Sequence, residues 1–375
     1  MGTLPFVFGT SATGENFTDR KEETRRLVSN FQHGINTILV SPRRWGKTSL
    51  VEKAASVAAG KTLKIVFVDI FSCRDENDFC SRLATAIVRQ TSTKLEEWLE
   101  STKTFLNHLS PKIIVGSDPM NEFSLSLDLN PKSQDIDDVL NLPEKIASKK
   151  KIRIVVCIDE FQQIGEFKDS VIFQKKLRTA WQHQKLISYC LYGSRKHLMN
   201  ELFQKRSLPF YKFGDLVFLQ KIDTKDWVEY IQGRFKSTGK SISRTIAEKI
   251  CVTVENHSAY VQQLSWLVWA RTEKKATEKG FNAACKDLLD QNTPLFEKQT
   301  EGLSSYQINF LRALCDGVAE GFTSKAVLVK YDLGSSANVG TIKRALEKKE
   351  IIDIEGQKVY IADPVLALWL RRFFF

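Results

Sequence analysis

The stretch SPRRWGKTSL, Ser41 to Leu50, constrains the fold more than any other part of the chain. It follows a short apolar run, NTILVS (Asn36 to Ser41), and leads into helical spacing from Lys47 to Gly60, a candidate C-cap. It nearly spells G-x-x-x-x-G-K-[ST], with Ser41 where the first glycine would stand. A loop between a strand and a helix N-terminus can aim several backbone N–H groups at one phosphate. Gly46 allows close backbone approach, the Lys47 ammonium can meet β- and γ-phosphates, and the Thr48 hydroxyl can ligate Mg²⁺. Serine is small, and Pro42 holds its predecessor extended. Ser41 therefore serves unless that position demands a positive φ.

A phosphate loop calls for an apolar strand ending in acid. KIRIVVCIDE (Lys151 to Glu160) supplies one. Two carboxylates at the end of a buried strand are costly without a cation or solvent nearby. Asp159 is expected in the Mg²⁺ shell, and Glu160 as the base that orients and deprotonates an attacking water. KLISYCLYGS (Lys185 to Ser194) is a third buried strand, ending in Ser194 and followed by Arg195. Arg195 could reach a γ-phosphate; the plainer reading is a surface arginine. Arg206, in FQKRSLPFY, is a candidate finger toward a neighbouring subunit, against the same plain alternative.

LKIVFVDI (Leu63 to Ile70) and DLVFLQKI (Asp215 to Ile222) complete a set of strands separated by helical spacing. The pattern predicts an α/β fold: a P-loop NTPase parallel sheet covered by helices. KIIVGSDPMNEFSLSLDLN breaks the rhythm and predicts an inserted β-hairpin over about residues 110–131, either packed on the sheet or reaching a partner.

A chain of 375 residues exceeds one hydrophobic core. The pattern is helical from Asp223 to about Gln291. Beyond Leu303 come three helices, the second with Thr323 as a candidate N-cap and the third opened by serines. Two short strands follow around Glu355-Gly356. Three helices and a hairpin make a winged-helix pattern. The expected domains are an ATPase core over 1–222, a helical lid over 223–298 and a winged-helix domain over 299–375.

The formal net charge is +11, which suits a polyanion partner or simply a solvated lysine-rich surface. Glu301–Phe375 holds ten basic and nine acidic residues, about +1, so the surplus lies elsewhere. Seven scattered cysteines form no C-x-x-C pair and suit a reducing, cytoplasmic setting. The first residues, MGTLPFVFGT, do not read as a signal peptide, and no apolar run is long enough for a bilayer.

Together these residues resemble the archaeal-type P-loop ATPases of the AAA+/STAND assembly. FTDRKEE (Phe17 to Glu23) is similar to that group's F-x-G-R-x-x-E motif, with Asp19 in place of glycine. SPRRWGKTSL is similar to its G-P-R-R-x-G-K-T-S-L loop, so Ser41, Pro42, Arg43, Arg44, Trp45, Gly46, Lys47, Thr48 and Ser49 are expected at the nucleotide. VVCIDEFQQI is similar to its D-E-F-Q strand end. ENHSAYVQQLSWLVW resembles its lid helix, with Ser258 replacing a proline, and DPVLALWLRR resembles the end of its winged helix. The resemblance implies ATP or ADP as ligand with Mg²⁺. It also implies adenine near Phe6, Phe8 and Arg20, with His257 facing the nucleotide from the lid.

The expected function is an ATP-controlled switch with slow Mg²⁺-dependent hydrolysis, Lys47 and Arg195 acting on the phosphates and Glu160 on the attacking water. The alternatives are an ATP-regulated DNA-binding protein, with Lys343, Arg344, Lys348 and Lys349 on the third winged-domain helix, or a nucleotide-stabilised scaffold. Partners through the winged helix would be DNA or protein, and assembly could depend on nucleotide.

Overall fold

The computed structural model describes residues 4–92, 97, 104, 112–115, 123–126 and 135–375. The chain forms two compact units: Arg20–Gln220, and a second made of the segment up to Asp19 with Lys221–Phe375.

The first unit is built on five parallel strands: β1 (Thr37–Val40), β2 (Leu63–Asp69), β5 (Arg153–Asp159), β6 (Ile187–Gly193) and β7 (Asp215–Phe218), in the order β2-β5-β6-β1-β7. The sequence-predicted strands all form, trimmed at their ends. β7 stops at Phe218, although Leu219 N–H still reaches the Val40 carbonyl at 2.9 Å. β6 lies between β5 and β1, and all seven of its residues are buried. Such a strand must read as a continuous apolar run, which is why no period-two alternation marks it.

Parallel pairing brings every carboxyl end to one edge. Val40 pairs with Gly193, and Asp69 with Asp159. Five segments leave that edge: the phosphate loop, the end of β2 at Asp69, the acidic strand end, Ser194-Arg195 and the end of β7. Behind it, Phe161, Trp181, Tyr189, Phe203, Phe210 and Phe213 form a buried aromatic cluster, with Trp181 stacked on Tyr189 at 3.9 Å. Burying each large side chain stabilises the fold by about 1.5–3 kcal/mol.

The hairpin expected between sheet units is present as β3 (Lys112–Val115) paired antiparallel with β4 (Phe123–Ser126), a separate two-stranded sheet. Its Gly-Ser-Asp-Pro turn lies outside the described residues. The helix after the phosphate loop, α2 (Lys47–Ala58), ends earlier than the sequence suggests. Ala59, in extended conformation, is the C-cap, not Gly60.

In the second unit, four helices, Thr224–Ser237, Arg244–Thr253, Ser258–Ala270 and Glu278–Glu301, precede the winged helix. The last is a continuous 24-residue helix that carries Pro294 and crosses residue 299. Helices Ser305–Cys315, Lys325–Lys330 and Ser336–Lys348 follow, then strands Ile352–Glu355 and Lys358–Ile361 around Gly356. Ser304 and Gln307 form a capping box on the first. Ser335 caps the third by accepting from Asn338 N–H, as its serines suggest. On the second, Ser324 rather than Thr323 is the N-cap, and its side chain makes no capping bond. The helical and winged-helix residues of this unit share one hydrophobic core.

Candidate functional site

β1 ends at Val40, and Ser41 is fully buried, its hydroxyl donating to the Pro42 carbonyl at 3.0 Å. Its φ is not positive, which is why serine can stand there. The left-handed residues of the loop are Arg44 (φ 62°) and Gly46 (φ 90°), the latter capping α2. A Cβ at Gly46 would meet nothing within 4 Å, so backbone conformation, not space, asks for glycine. Arg43 and Arg44 are exposed, Pro42 and Trp45 half-buried, and Ser49 buried in the first turn of α2.

Lys47 and Thr48 meet the acidic strand end. The Lys47 ammonium lies 2.8 Å from Glu160 Oε1 and 3.1 Å from Asp159 Oδ1. The Thr48 hydroxyl donates to Asp159 Oδ2 at 3.3 Å. Lys47 is only 11% exposed, and an unpaired charge so placed would cost several kcal/mol.

The two carboxylates respond in opposite senses. Burial pushes Asp159 up, and neither Lys47 nor the bond from Glu160 N–H fully offsets it. Burial also pushes Glu160 up, but the Lys47 charge and hydrogen bonds from Lys47, Gln162 and Ser194 outweigh it, so its carboxyl falls below the usual range. Glu160 takes φ 53° at the start of a 3₁₀ turn, Phe161–Glu166, which brings the Gln162 side chain back to the Glu160 carboxylate.

Ser194 and Gln162 were not singled out from sequence as site residues. The Ser194 hydroxyl donates to Glu160 Oε2 at 2.9 Å, and Gln162 Nε2 donates to the same oxygen at 2.5 Å. The signal for both was a polar residue just past a buried strand. Arg195 caps the helix Lys196–Gln204 and is ion-paired with Glu166 of the 3₁₀ turn. Arg206 is exposed in the turn beyond that helix.

Arg20 lies at the head of α1 (Lys21–His33), 3% exposed, with a bond to Glu23 at 2.9 Å and a guanidinium nitrogen 3.5 Å from the Trp45 carbonyl. Asp19 and Arg20 are both left-handed, at φ 53° and 63°. That conformation suits glycine, and aspartate is among the side chains that tolerate it.

Phe6, Phe8 and His257 belong to the second unit. Phe6 is buried between Tyr230 and Phe235, and Phe8 is 39% exposed beside Trp266. His257 is buried at the head of helix Ser258–Ala270, its ring 4.8 Å from that of Tyr260. Sequence reasoning missed what holds this N-terminal segment. Arg234 donates to the Pro5 carbonyl and pairs with Glu15 at 2.8 Å, and Gln262 accepts from Val7 N–H.

Residues 17–243 match a family described as an ATPase domain predominantly from Archaea, and residues 294–372 one described as a probable winged helix domain. Among solved structures, the Walker-type ATPase of Pyrococcus abyssi is similar at 18% identity, covering 98% of this chain and 100% of that one, with TM-score 0.71. The ORC2 protein of Aeropyrum pernix, solved in ADPNP–ADP complexes, is similar at 15% identity over 98% and 96%, with TM-score 0.60. Both show the fold. No curated protein matches the sequence.

Proposed function

The chain belongs to the family of ATPase domains found predominantly in Archaea, and from that premise we propose that it is a Mg²⁺-dependent ATPase whose nucleotide state controls its winged helix. The observation that carries this reading is the meeting of Lys47, Thr48, Asp159 and Glu160 at one sheet edge.

The loop amides and Lys47 bind the phosphates, and Arg43 and Arg44 lie at the loop's exposed side. Thr48 and Asp159 offer hard oxygen donors side by side, and the raised Asp159 carboxyl marks a buried charge short of positive neighbours. Both facts fit Mg²⁺, which when bound supplies charge neutralisation to the phosphates. Glu160, held ionised, takes the proton of the attacking water. Arg195 would leave Glu166 to meet the γ-phosphate.

The chain crosses between its two units at Asp19–Arg20 and at Gln220–Lys221. Arg20, at the first crossing, reaches the loop carbonyl of Trp45. Reshaping of the loop by nucleotide is therefore felt at the crossing, which supports a switch.

A second reading, DNA binding regulated by ATP, is favoured by the exposed Arg344 and Lys348 on the third winged-domain helix. The same helix offers less basic surface than its sequence suggests. Lys343 lies over the Phe322 ring at 4.9 Å, and Lys349 donates to the Gly302 carbonyl. ATP turnover measured with and without duplex DNA tests both readings. Mg²⁺-dependent turnover supports the first and its stimulation by DNA the second; no turnover in either condition contradicts the first, and turnover that ignores DNA counts against the second.

A further inference from the structure

Glu160 offers two oxygens, and they are used differently. Oε1 faces Lys47 at 2.8 Å. Oε2 accepts from Gln162 Nε2 at 2.5 Å, from the Ser194 hydroxyl at 2.9 Å and from Ser194 N–H at 3.4 Å. Three donors saturate Oε2 and leave Oε1 as the oxygen that opens when Lys47 turns to a phosphate.

Gln162 is held in place by an unusual absence of volume. Its side chain is 4% exposed and lies across Gly193, the last residue of β6. A Cβ added at Gly193 would sit 1.9 Å from Gln162 Oε1 and 2.9 Å from Met199 Sδ. With any larger side chain at Gly193 the amide would have to leave its present position. The same Oε1 finds no hydrogen-bond donor among the described residues. Packing alone gives no return for this seat, since a buried acceptor without a partner is unfavourable. What the amide gains in that seat is its N–H bond to Glu160.

We propose that Gln162, seated on Gly193, is the positioning residue that fixes Oε1 of Glu160 as the proton-accepting oxygen. The proposal rests on the ATPase reading. In the step it serves, a water O–H bond breaks and its proton passes to Oε1. The water oxygen bonds to the γ-phosphorus, and the bond from that phosphorus to the β,γ-bridging oxygen breaks, releasing ADP. The role of Gln162 is to set the angle of the carboxylate through its bond to Oε2. A misplacement of about 1 Å at such a group can cost on the order of a hundredfold in rate.

The test combines Gln162→Met, which keeps the volume and removes the donor, with Gly193→Ala, Gln162→Ala and the double variant Gly193→Ala/Gln162→Ala. Steady-state turnover is measured with Mg-ATP, and affinity by titration with a fluorescent ATP analogue. Gln162→Met is expected to lower kcat about 10- to 100-fold and to leave nucleotide affinity within about threefold. Gly193→Ala is expected to lower kcat about as much. On top of Gln162→Ala it should cost less than about twofold, because the clash with the amide is gone and only the flexible end of Met199, 2.9 Å away, has to shift.

Full turnover in Gln162→Met, or losses that multiply in the double variant, would overturn the proposal while the ATPase reading stands. An equal loss of affinity and turnover in Gln162→Met would make Gln162 structural and overturn it too. No turnover by the parent protein would overturn the ATPase reading, and this proposal with it.

Discussion

Lys47 and Glu160, 113 positions apart in sequence, meet with the ammonium nitrogen 2.8 Å from the carboxylate. The same ammonium serves Asp159 at 3.1 Å. On the proposed reading a triphosphate competes with two carboxylates for one lysine. Lys47→Ala is expected to weaken ATP binding at least a hundredfold, roughly 2.8 kcal/mol, in a calorimetric titration. Binding at parental strength would remove Lys47 from the phosphate site.

The opposite shifts of the two carboxylates set a pH dependence. Glu160 is depressed, so its ionised form contributes stability above the unfolded carboxyl range, and that contribution is lost as pH falls through the folded value. Asp159 is raised, so its contribution is present at low pH and lost as pH rises through the folded value; ionised at neutrality, it costs stability. At pH 7 Glu160→Gln should melt below the parent, whereas Asp159→Asn should melt at or above it. The gap between the two variants should narrow as pH falls through the ordinary carboxyl range and close only below the depressed folded value of Glu160. Thermal scans across pH check this; a gap that ignores pH would refute it.

Ser41 is buried with an ordinary backbone conformation, and its hydroxyl is satisfied within the loop. Ser41→Gly should therefore change ATP affinity by less than about tenfold, or roughly 1.4 kcal/mol. A much larger change in a nucleotide titration would mean that the first loop position directs the phosphate amides.

Much of this site was legible in sequence because its parts are local. SPRRWGKTSL and IVVCIDE each carry their chemistry on a few consecutive residues, and a buried strand announces itself by an unbroken apolar run. Contacts made across the fold were not legible. Ser194 and Gln162 converge on one oxygen only because β6 lies beside β5 and Glu160 turns left-handed. The seat of Gln162 on Gly193 depends on strand order, which no local pattern encodes. Helix ends shifted for a similar reason: Ala59 closes α2 and Ser324 opens its helix despite better-looking neighbours at Gly60 and Thr323.

If the third winged-domain helix contacts DNA, Arg344 and Lys348 are the exposed charges available on it. Arg344→Glu/Lys348→Glu should then weaken duplex binding and reduce the slope of log K against log salt by about 2, roughly one unit for each phosphate no longer neutralised. Filter binding at several salt concentrations measures it. An unchanged slope would place the DNA-binding surface, or the partner, on another face.

Glu160→Gln with Mg-ATP tests the assignment most directly. The carboxamide keeps the size of the side chain and removes its capacity to take a proton. Nucleotide affinity should stay within about threefold of the parent while turnover falls on the order of a hundredfold or more. Parental turnover in Glu160→Gln would contradict the role given to that residue and, with it, the hydrolytic mechanism.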